Sequence, residues 1–473
     1  MLHLAPLDVG VLVAYLAGVL ALGFSARLRD SSILQYLTAG RALSLPAFVA
    51  TLVATWYGGI LAIGESVKAF GLGTILLMGV PYYAFALIYA LWWAPRVRAA
   101  DQISIPERLH LRYGRSAALV GAILVFLFAA PAAHTLMLGT LLQLATGLSL
   151  PLSVGLAAAV GVAFLFRGGL LADVRASLLA FALMYVGFVV LVGGCLLVQS
   201  PASLIQALKP NPDLLSPTGG QGIGLIVGYF ALGAWTLVDP GFHQRAASAA
   251  TPELARKGVL VCVVFWFLFD ILSTTAGLYA FVRLPKAGGL ALFPLLGDAV
   301  LAPGFKGIFL CGLFGTVLSA TVGYTLVAGA TFGREAVARL RPGMDDESVK
   351  NWTRIGLGLS AAVATWLALH VSNVVVDLWY AYAGAITGAL LPPVAMAYGR
   401  DRRLSGTAAA WAMALGFAVS VAWIVYAKRT DNPYYNVNLG ETEFALGTLI
   451  PSAAISTLVL LLGSGLARRE TTR

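Results

Sequence analysis

The sequence predicts an all-α membrane protein with 13 transmembrane helices. Its 473 residues are 59% hydrophobic and only 11% charged, whereas soluble domains carry about 25% charged residues. The apolar residues come in runs of about twenty, the length that crosses a hydrocarbon core of about 30 Å. No polar stretch between the runs is long enough for a soluble domain. We therefore expect a multi-pass protein of a cell membrane, here a bacterial inner membrane.

Charges, glycines and prolines bound the predicted helices. The first run follows the residues MLHLAPLD, which include Asp8 and no Lys or Arg. A signal peptide would begin with a basic segment, so this run is expected to stay in the protein as a span. The predicted spans are 8–26, 44–65, 73–95, 115–145, 150–166, 176–198, 222–239, 258–282, 304–333, 353–371, 375–398, 406–426 and 442–466.

The placement of Lys and Arg predicts an orientation. With the N-terminus outside, the cytoplasmic loops hold 24 of the 31 Lys and Arg residues, including Arg245 in the loop after the seventh span. Cytoplasmic loops are enriched in these residues, so we expect an outer N-terminus and a cytoplasmic C-terminus. The net charge of +10 then follows from topology and does not indicate a nucleic-acid partner.

Two of the predicted spans look interrupted at mid-depth. The second span carries the pair Gly58-Gly59, and the seventh span has a similar character around Gly233, Trp235 and Thr236. Glycines weaken a helix, and the backbone groups that they free find no water in the bilayer core. Such an interruption is tolerated where it lines a cavity. The alternative is that the small residues only allow close helix packing.

The two interrupted spans occupy corresponding positions if spans 2–6 and 7–11 are repeats. Each repeat would contain an odd number of spans, so the two must be inverted relative to each other. That arrangement predicts a binding site at the membrane midplane between the first helices of the repeats. The expected division is an extra helix and loop at 1–43, repeats at 44–198 and 222–398, and two further helices at 399–473.

Titratable side chains inside the predicted spans are candidate site residues, because a charge in a membrane is costly. Asp270 lies at mid-helix, where we expect a structural hydrogen bond from Ser273 or Thr274. For His134, substrate binding and a bond between helices are equally plausible, and positions near the interfaces favour capping or gating roles for Asp239 and Asp377. The full set is Glu65, His134, Asp239, Asp270 and Asp377.

Five motifs follow one another along the chain: YLTAGRALSLPAFVATLVATWYGG, ISIPERLHLRYG, FHQRAASAATPELARKG, TVLSATVGYTLVAG and ALLPPVAMAYGR. Through these motifs, which stand in the family's order, the sequence resembles the sodium/solute symporter family from about residue 7 to about residue 425. The resemblance implies the leucine-transporter type of five-plus-five inverted repeat, with one extra N-terminal and two extra C-terminal helices. It also implies alternating access and sodium-driven uptake, with Na⁺ as coupling ion and no other cofactor or metal.

The resemblance also implies a set of sodium ligands, from which this chain departs. Relatives usually have a second hydroxyl at the position of Ala320, which Thr316 or Thr321 could replace. Many relatives have Thr-Asp where this chain has Ala176-Ser177. Coupling to protons through Glu65 or His134, or uncoupled transport, therefore stays open. The implied ligands are the carbonyls of Ala54, Tyr57 and Thr316 and the hydroxyl of Ser319.

The expected partner is a small polar solute in addition to the lipid bilayer. Sugar-transporting relatives carry polar side chains in the middle of the first broken helix, where this chain has Ile60-Leu61-Ala62. A small amino acid, carboxylate or vitamin-like compound is therefore favoured over a sugar. The predicted substrate ligands are Trp56, Gly58, Gly59, Glu65, His134, Trp235 and Thr236.

Other function classes fit the sequence less well. The five histidines form no HExxH motif and no Gly-rich nucleotide loop follows a strand, which argues against an enzyme. The spans carry too few polar residues to line a channel. A transporter-like sensor would need a separate partner, since only about seven residues follow the last predicted span. No obligate protein partner is evident in the sequence.

Overall fold

The computed structural model describes residues 1–26, 30, 32–163, 165–370, 375, 383–399, 404–430, 436–440 and 442–471, and almost all of them are helical. Each predicted span has a helix in the structure. In chain order these are α1 Pro6–Phe24, α2 Leu45–Phe70, α3 Ile75–Ala99, α4 Arg115–Thr146, α5 Leu150–Ala163, α6 Gly168–Val198, α7 Ile223–Ser248, α8 Pro252–Arg283, α9 Phe305–Leu340, α10 Asp346–His370, α11 Gly384–Ala397, α12 Gly406–Thr430 and α13 Leu449–Thr471.

Within the described residues, ten of these helices are long and apolar enough to cross a membrane. The described parts of α5, α11 and α13 are shorter apolar helices, so the count of 13 crossings stays a prediction. The predicted orientation also stays a prediction. Several residues used for these predictions lie outside the described ones: Arg27, Arg29, Asp377, Arg400, Arg402, Arg403 and Arg473.

Helices α2 and α9 form the centre of the protein. In the most apolar window of each, 83% of the residues are buried, against 22% in α1. The bilayer cannot satisfy free backbone groups, so an interrupted helix such as α2 must lie inside the protein.

The seventh span was predicted to end too early. The helix does not end at residue 239 but continues to Ser248, because Asp239 starts a second helical segment by accepting a hydrogen bond from the Phe242 N–H at 2.9 Å. Every residue of this segment, Pro240–Ser248, is buried. The prediction that Arg245 lies in a cytoplasmic loop is therefore wrong. The polar side chains of the segment have partners inside the protein rather than water.

The last predicted span began too early. Residues Asn436–Leu439 and Thr442–Ala445 form an antiparallel hairpin, β1 and β2, and α13 starts only at Leu449. Leu439 pairs with Thr442, which leaves a two-residue turn that contains Gly440 at a φ of +68°. Glycine is favoured at such a turn because it adopts positive φ without strain. The hairpin packs on the start of α7, where Gly224 and Gly228 touch the backbone of β2.

The motif ISIPERLHLRYG lies between the third and fourth predicted spans, and most of it forms a short helix, Ile105–Tyr113. The hydroxyl of Ser104 accepts a hydrogen bond from the Glu107 N–H at 3.1 Å at its start. The helix is fixed to the end of α9, because Glu107 pairs with Arg334 at 2.8 Å and Ser104 donates to Glu335 at 2.7 Å.

Asp8 fixes the first helix to the centre of the protein. Its Oδ1 accepts hydrogen bonds from the N–H groups of Gly304 at 2.8 Å and Gly307 at 2.9 Å, and its Oδ2 accepts one from the Ala5 N–H at 3.0 Å. The carboxyl group therefore satisfies the free N–H groups at the start of α9 as well as one at the start of α1.

We expect Asp8→Ala to lower the free energy of unfolding by about 1–3 kcal/mol, since it leaves buried N–H groups without an acceptor. Thermal melting of the purified protein in detergent measures this change. Asp8→Asn, which keeps an oxygen acceptor, should lose less. Equal melting temperatures for Asp8→Ala and the native protein would show that this contact does not stabilise the fold.

Candidate functional site

Helix α2 is interrupted at its centre. An α-helical segment ends at Trp56, a 3₁₀ turn covers Tyr57–Gly59, and a second α-helical segment begins at Ile60. A side chain at Gly58 would overlap the Ala320 methyl group and would lie 2.9 Å from Cδ2 of His134. Glycine is therefore required where α2 meets α4 and α9.

Helix α7 carries the matching interruption. A 3₁₀ turn covers Gly233–Leu237, and the backbone then becomes extended at Asp239 before the second segment. A side chain at Gly233 would lie 2.8 Å from the Pro81 carbonyl carbon of α3. The two interruptions face each other, since the rings of Trp56 and Trp235 are 6.1 Å apart.

A cavity of about 50 Å³ lies between the two interruptions. Its walls come from α2, α3, α4, α7, α8 and α9. A second cavity of about 70 Å³ adjoins it and shares His134, Trp235 and Tyr324. The residues that line the first cavity are Thr55, Trp56, Tyr57, Gly59, Ile63, Met78, Tyr82, His134, Trp235, Asp270 and Tyr324.

Three aromatic rings form one wall of the first cavity. Tyr82 meets Trp56 edge-on at 4.8 Å and Trp235 edge-on at 5.8 Å. On the other side, His134 stacks on Tyr324 at 5.3 Å. Most of the cavity wall is therefore aromatic.

Asp270 brings a carboxyl group to this cavity. Its Oδ1 lies 2.7 Å from the Tyr57 hydroxyl, and its Oδ2 accepts a hydrogen bond from Tyr83. The prediction that Ser273 or Thr274 would hold it is wrong, because the Ser273 hydroxyl donates to the Asp270 backbone carbonyl at 3.4 Å and the Thr274 hydroxyl does not bond to the carboxyl group. Both tyrosines come from other helices, α2 and α3, so the sequence of α8 alone could not indicate them as partners.

The structure brings together five of the seven predicted substrate ligands. Gly58 supports this group from behind, against Ala320. Thr236 is fully buried but does not line the cavity, and Glu65 packs against Gly289, away from the cavity. The lining residues Tyr82, Asp270 and Tyr324 were not among the predicted ligands, although Tyr324 lies in a recognised motif. Four of the five line the cavity, namely Trp56, Gly59, His134 and Trp235, and the fifth, Gly58, contacts His134 behind the wall.

The predicted sodium ligands lie on the α2 interruption and on α9. The hydroxyl of Ser319 lies 2.8 Å from that of Ser177, and the hydroxyl of Thr316 donates to the Gly312 carbonyl at 2.6 Å. The Ala320 methyl group fills the space beside Gly58. Thr321 donates to its own helix at Val317, and its methyl group faces Gly161 of α5, so it lies on a different face of α9.

A buried ion pair adjoins these ligands. Asp173 of α6 and Arg245 of α7 are both fully buried, and their side chains are 2.8 Å apart. Arg245 also donates to the Thr55 hydroxyl at 3.1 Å, and Ser177 donates to Asp173 at 3.3 Å. Because Ser177 also contacts Ser319, a continuous polar chain joins the ion pair to the predicted sodium ligand.

A second polar cluster closes the end of the cavity next to Arg245. Asp239 accepts hydrogen bonds from the Tyr324 hydroxyl at 2.7 Å and from the Trp235 ring N–H at 3.0 Å, in addition to capping the second segment of α7. The capping role expected for Asp239 is present. Gly323 leaves room for the Arg245 guanidinium, because a Cβ at position 323 would lie 2.5 Å from Nη2 of Arg245.

Comparison with known proteins identifies the family. A profile of the sodium:solute symporter family matches residues 36–416. The chain belongs to this family. A curated relative, the sodium/glucose cotransporter 4 of Homo sapiens, is 22% identical in an alignment of 467 residues that covers 88% of this chain and 68% of that protein.

Solved structures show the same fold. A Na⁺-coupled sialic acid symporter in a substrate-bound outward-open state superposes with a TM-score of 0.80, with 13% identity and 98% of each chain covered. A transporter of the nucleobase-cation-symport-1 family, closed on a bromovinylhydantoin, gives 0.57 with 13% identity over 94% of this chain and 97% of that one. The predicted leucine-transporter type of membrane fold is confirmed, and the family is one of transporters and not of enzymes.

We expect Gly58→Ala to disrupt the α2 interruption, because the added methyl group would overlap that of Ala320. The free energy of unfolding of this symporter should fall by about 1–3 kcal/mol, an amount typical of overpacking. The melting temperature should fall with it. The double variant Gly58→Ala/Ala320→Gly should recover part of this loss. A double variant as unstable as Gly58→Ala alone would contradict the assigned contact.

We expect Arg245→Met alone to cost about 3–5 kcal/mol, because it leaves the Asp173 carboxylate buried without its counter-charge. Arg245→Met combined with Asp173→Leu should be closer to the native protein in stability. Thermal melting of the four proteins gives the coupling energy. Additive losses would show that the two side chains do not act as a pair.

Proposed function

We propose that this symporter moves a small organic solute across the membrane by alternating access, with the cavity between α2 and α7 as its binding site. One observation carries the proposal: two interrupted helices face each other across a cavity inside the protein. Interrupted helices are costly in a membrane and are retained where their exposed backbone lines a binding site. We place the protein in a bacterial inner membrane with its N-terminus outside.

The size of the cavity supports a cycle with a closed state. At about 50 Å³ it is far below the roughly 300–1,000 Å³ of ordinary ligand sites. A solute would enter only after the walls separate. The short 3₁₀ turns of α2 and α7 lie in these walls and are suited to such a movement, since each joins two helical segments that can tilt separately.

The lining supports a solute other than a sugar. Ile60, Leu61 and Ala62 are fully buried in the protein and do not line the cavity. The polar groups that do line it are few, and the rest of the wall is aromatic. Of the solutes considered, a small amino acid or vitamin-like compound suits such a wall better than a hydroxyl-rich ring. A solute with only a carboxylate would meet Asp270.

We propose sodium as the coupling ion, bound by the carbonyls of Ala54, Tyr57 and Thr316 and the hydroxyl of Ser319. Ser177, at 2.8 Å from Ser319, is a further hydroxyl at this place and supplies an oxygen that Ala320 lacks. A hard cation prefers such oxygen ligands.

A sodium-independent transporter is the second candidate. The Ala320 methyl group occupies the position of a hydroxyl, and the guanidinium of Arg245 already provides a buried positive charge beside Gly323, one turn along α9 from Ser319. Reconstituted vesicles loaded with and without a sodium gradient distinguish the two candidates.

We expect Ser319→Ala to raise the sodium concentration for half-maximal uptake by about fivefold or more, the loss of one charge-assisted contact. Uptake of labelled solute into proteoliposomes over a series of sodium concentrations measures this shift. Thr321→Val is the matched control, because its hydroxyl faces away from α2, and it should leave the curve unchanged. If sodium alters neither uptake nor melting of the native protein, the sodium assignment is wrong and the second candidate stands.

A further inference from the structure

We propose that the cavity between α2 and α7 binds a small organic cation, and that the Asp270 carboxylate is the counter-charge for its ammonium group. The inference rests on the proposed transport function and names the substrate class of the same site. It depends on the contrast between two buried acids, on the way α3 approaches Asp270, and on the chemistry of the cavity wall.

Asp270 has no permanent cationic partner among the residues that the structure describes. Asp173 is equally deep in the protein and has a guanidinium at 2.8 Å. Asp270 is 8% exposed and has only the hydroxyl groups of Tyr57 and Tyr83. Burial of a carboxylate without a counter-charge is costly. Because Asp270 lines the cavity, a cationic solute bound there would supply the missing counter-charge and offset the free-energy cost of burial.

Helix α3 is shaped around this carboxylate. A π-helical turn, Ile75–Gly79, ends directly beside it. A side chain at Gly79 would lie 2.7 Å from Oδ2 of Asp270 and 2.9 Å from the Tyr83 hydroxyl. Such turns are rare and are frequently found at functional sites, and α3 contains a second one at Tyr89–Trp93. The glycine lets the α3 backbone approach the carboxylate closely, and a Cβ there would displace either the carboxylate or the Tyr83 hydroxyl.

The hydrogen bonds around Tyr57 leave Oδ1 of Asp270 incompletely satisfied. The Tyr57 hydroxyl lies 2.6 Å from the Trp266 carbonyl oxygen and 2.7 Å from Oδ1 of Asp270. A phenol has a single proton, so it cannot donate fully to both acceptors. Oδ1 can therefore accept a further hydrogen bond, which the N–H groups of an ammonium solute would supply.

The rest of the wall also suits a cation. Trp56, Tyr82 and Trp235 line the cavity, and aromatic rings attract ammonium groups. No Lys or Arg lines it within the described part of the chain. An anionic solute would therefore meet a carboxyl group and electron-rich rings with no positive side chain to offset them.

Binding to the full-length protein in lipid nanodiscs tests the proposal. Choline, ethanolamine and tetramethylammonium are the cationic probes, and 3,3-dimethyl-1-butanol is the uncharged isostere of choline. Calorimetry should show choline binding at least about 30-fold more tightly than the isostere, as expected for a buried charge pair. Glucose and acetate should not bind. Equal binding of choline and the isostere, or no binding by any of the three cations, would overturn the proposal.

A variant that removes the charge tests the assignment to Asp270. Asp270→Asn should bind choline at least about 30-fold more weakly than the native protein. Equal binding of choline by the two proteins would overturn the assignment.

Two further variants separate a loss of charge from a loss of structure. Tyr83→Phe keeps the carboxylate and removes one hydrogen bond, so it should bind choline more weakly than the native protein but more tightly than Asp270→Asn. Asp213→Asn removes an exposed carboxylate remote from the cavity and should bind choline normally. Weakened binding in Asp213→Asn would show that overall charge is responsible and would overturn the assignment to Asp270.

The fate of the proposed function is decided separately. If a neutral solute binds in place of the cations and vesicles accumulate it, the substrate class is wrong and transport stands. If the cations bind as expected but neither they nor any other solute enters vesicles, the transport function fails while Asp270 remains a cation site.

Discussion

The absence of water from the bilayer core is the constraint on which the structure of this symporter depends. Backbone groups freed by an interruption must be satisfied inside the protein, so a helix can be interrupted only if other helices enclose it. Helix α2 satisfies this condition, since 83% of its most apolar window is buried. The glycine at position 58 brings α2, α4 and α9 together at the interruption, and the one at position 233 brings α7 against α3. The cavity lies where these close contacts between helices come together.

Much of the architecture could be predicted from local sequence. Apolar runs gave the approximate places of the helices, and Gly58-Gly59 and Gly233 marked both interruptions. These signals work because membrane length and backbone satisfaction act within one segment. The start of α13 and the end of α7 could not be predicted in this way. The hairpin Asn436–Ala445 packs against α7, and the second segment of α7 is buried by neighbours, so both depend on distant parts of the chain.

The candidate site shows the same division. Trp56, His134 and Trp235 could be named because they stand near an interruption or are titratable within a span. Tyr82 gives no such signal, since its position on the wall is fixed by the approach of α3 to Gly233. The pairing of Asp173 with Arg245 joins residues 72 positions apart. The distribution of Lys and Arg predicted a loop position for Arg245, because the sequence cannot show that Arg245 pairs with the buried carboxylate of Asp173.

The two buried acids serve different ends of one mechanism. Asp173 is neutralised by Arg245, and the pair joins α2, α6 and α7 through Thr55 and Ser177. A charge with a fixed partner gains little from a ligand, because a new cation would have to displace the guanidinium. Among the described residues, Asp270 is held only by hydroxyl groups, which orient the carboxyl group but supply no counter-charge. In the mechanism that we propose, a cationic solute therefore binds at Asp270 without breaking an ion pair. The electrostatic gain on binding then moves the walls, while the Asp173 pair keeps the helices that carry them in register.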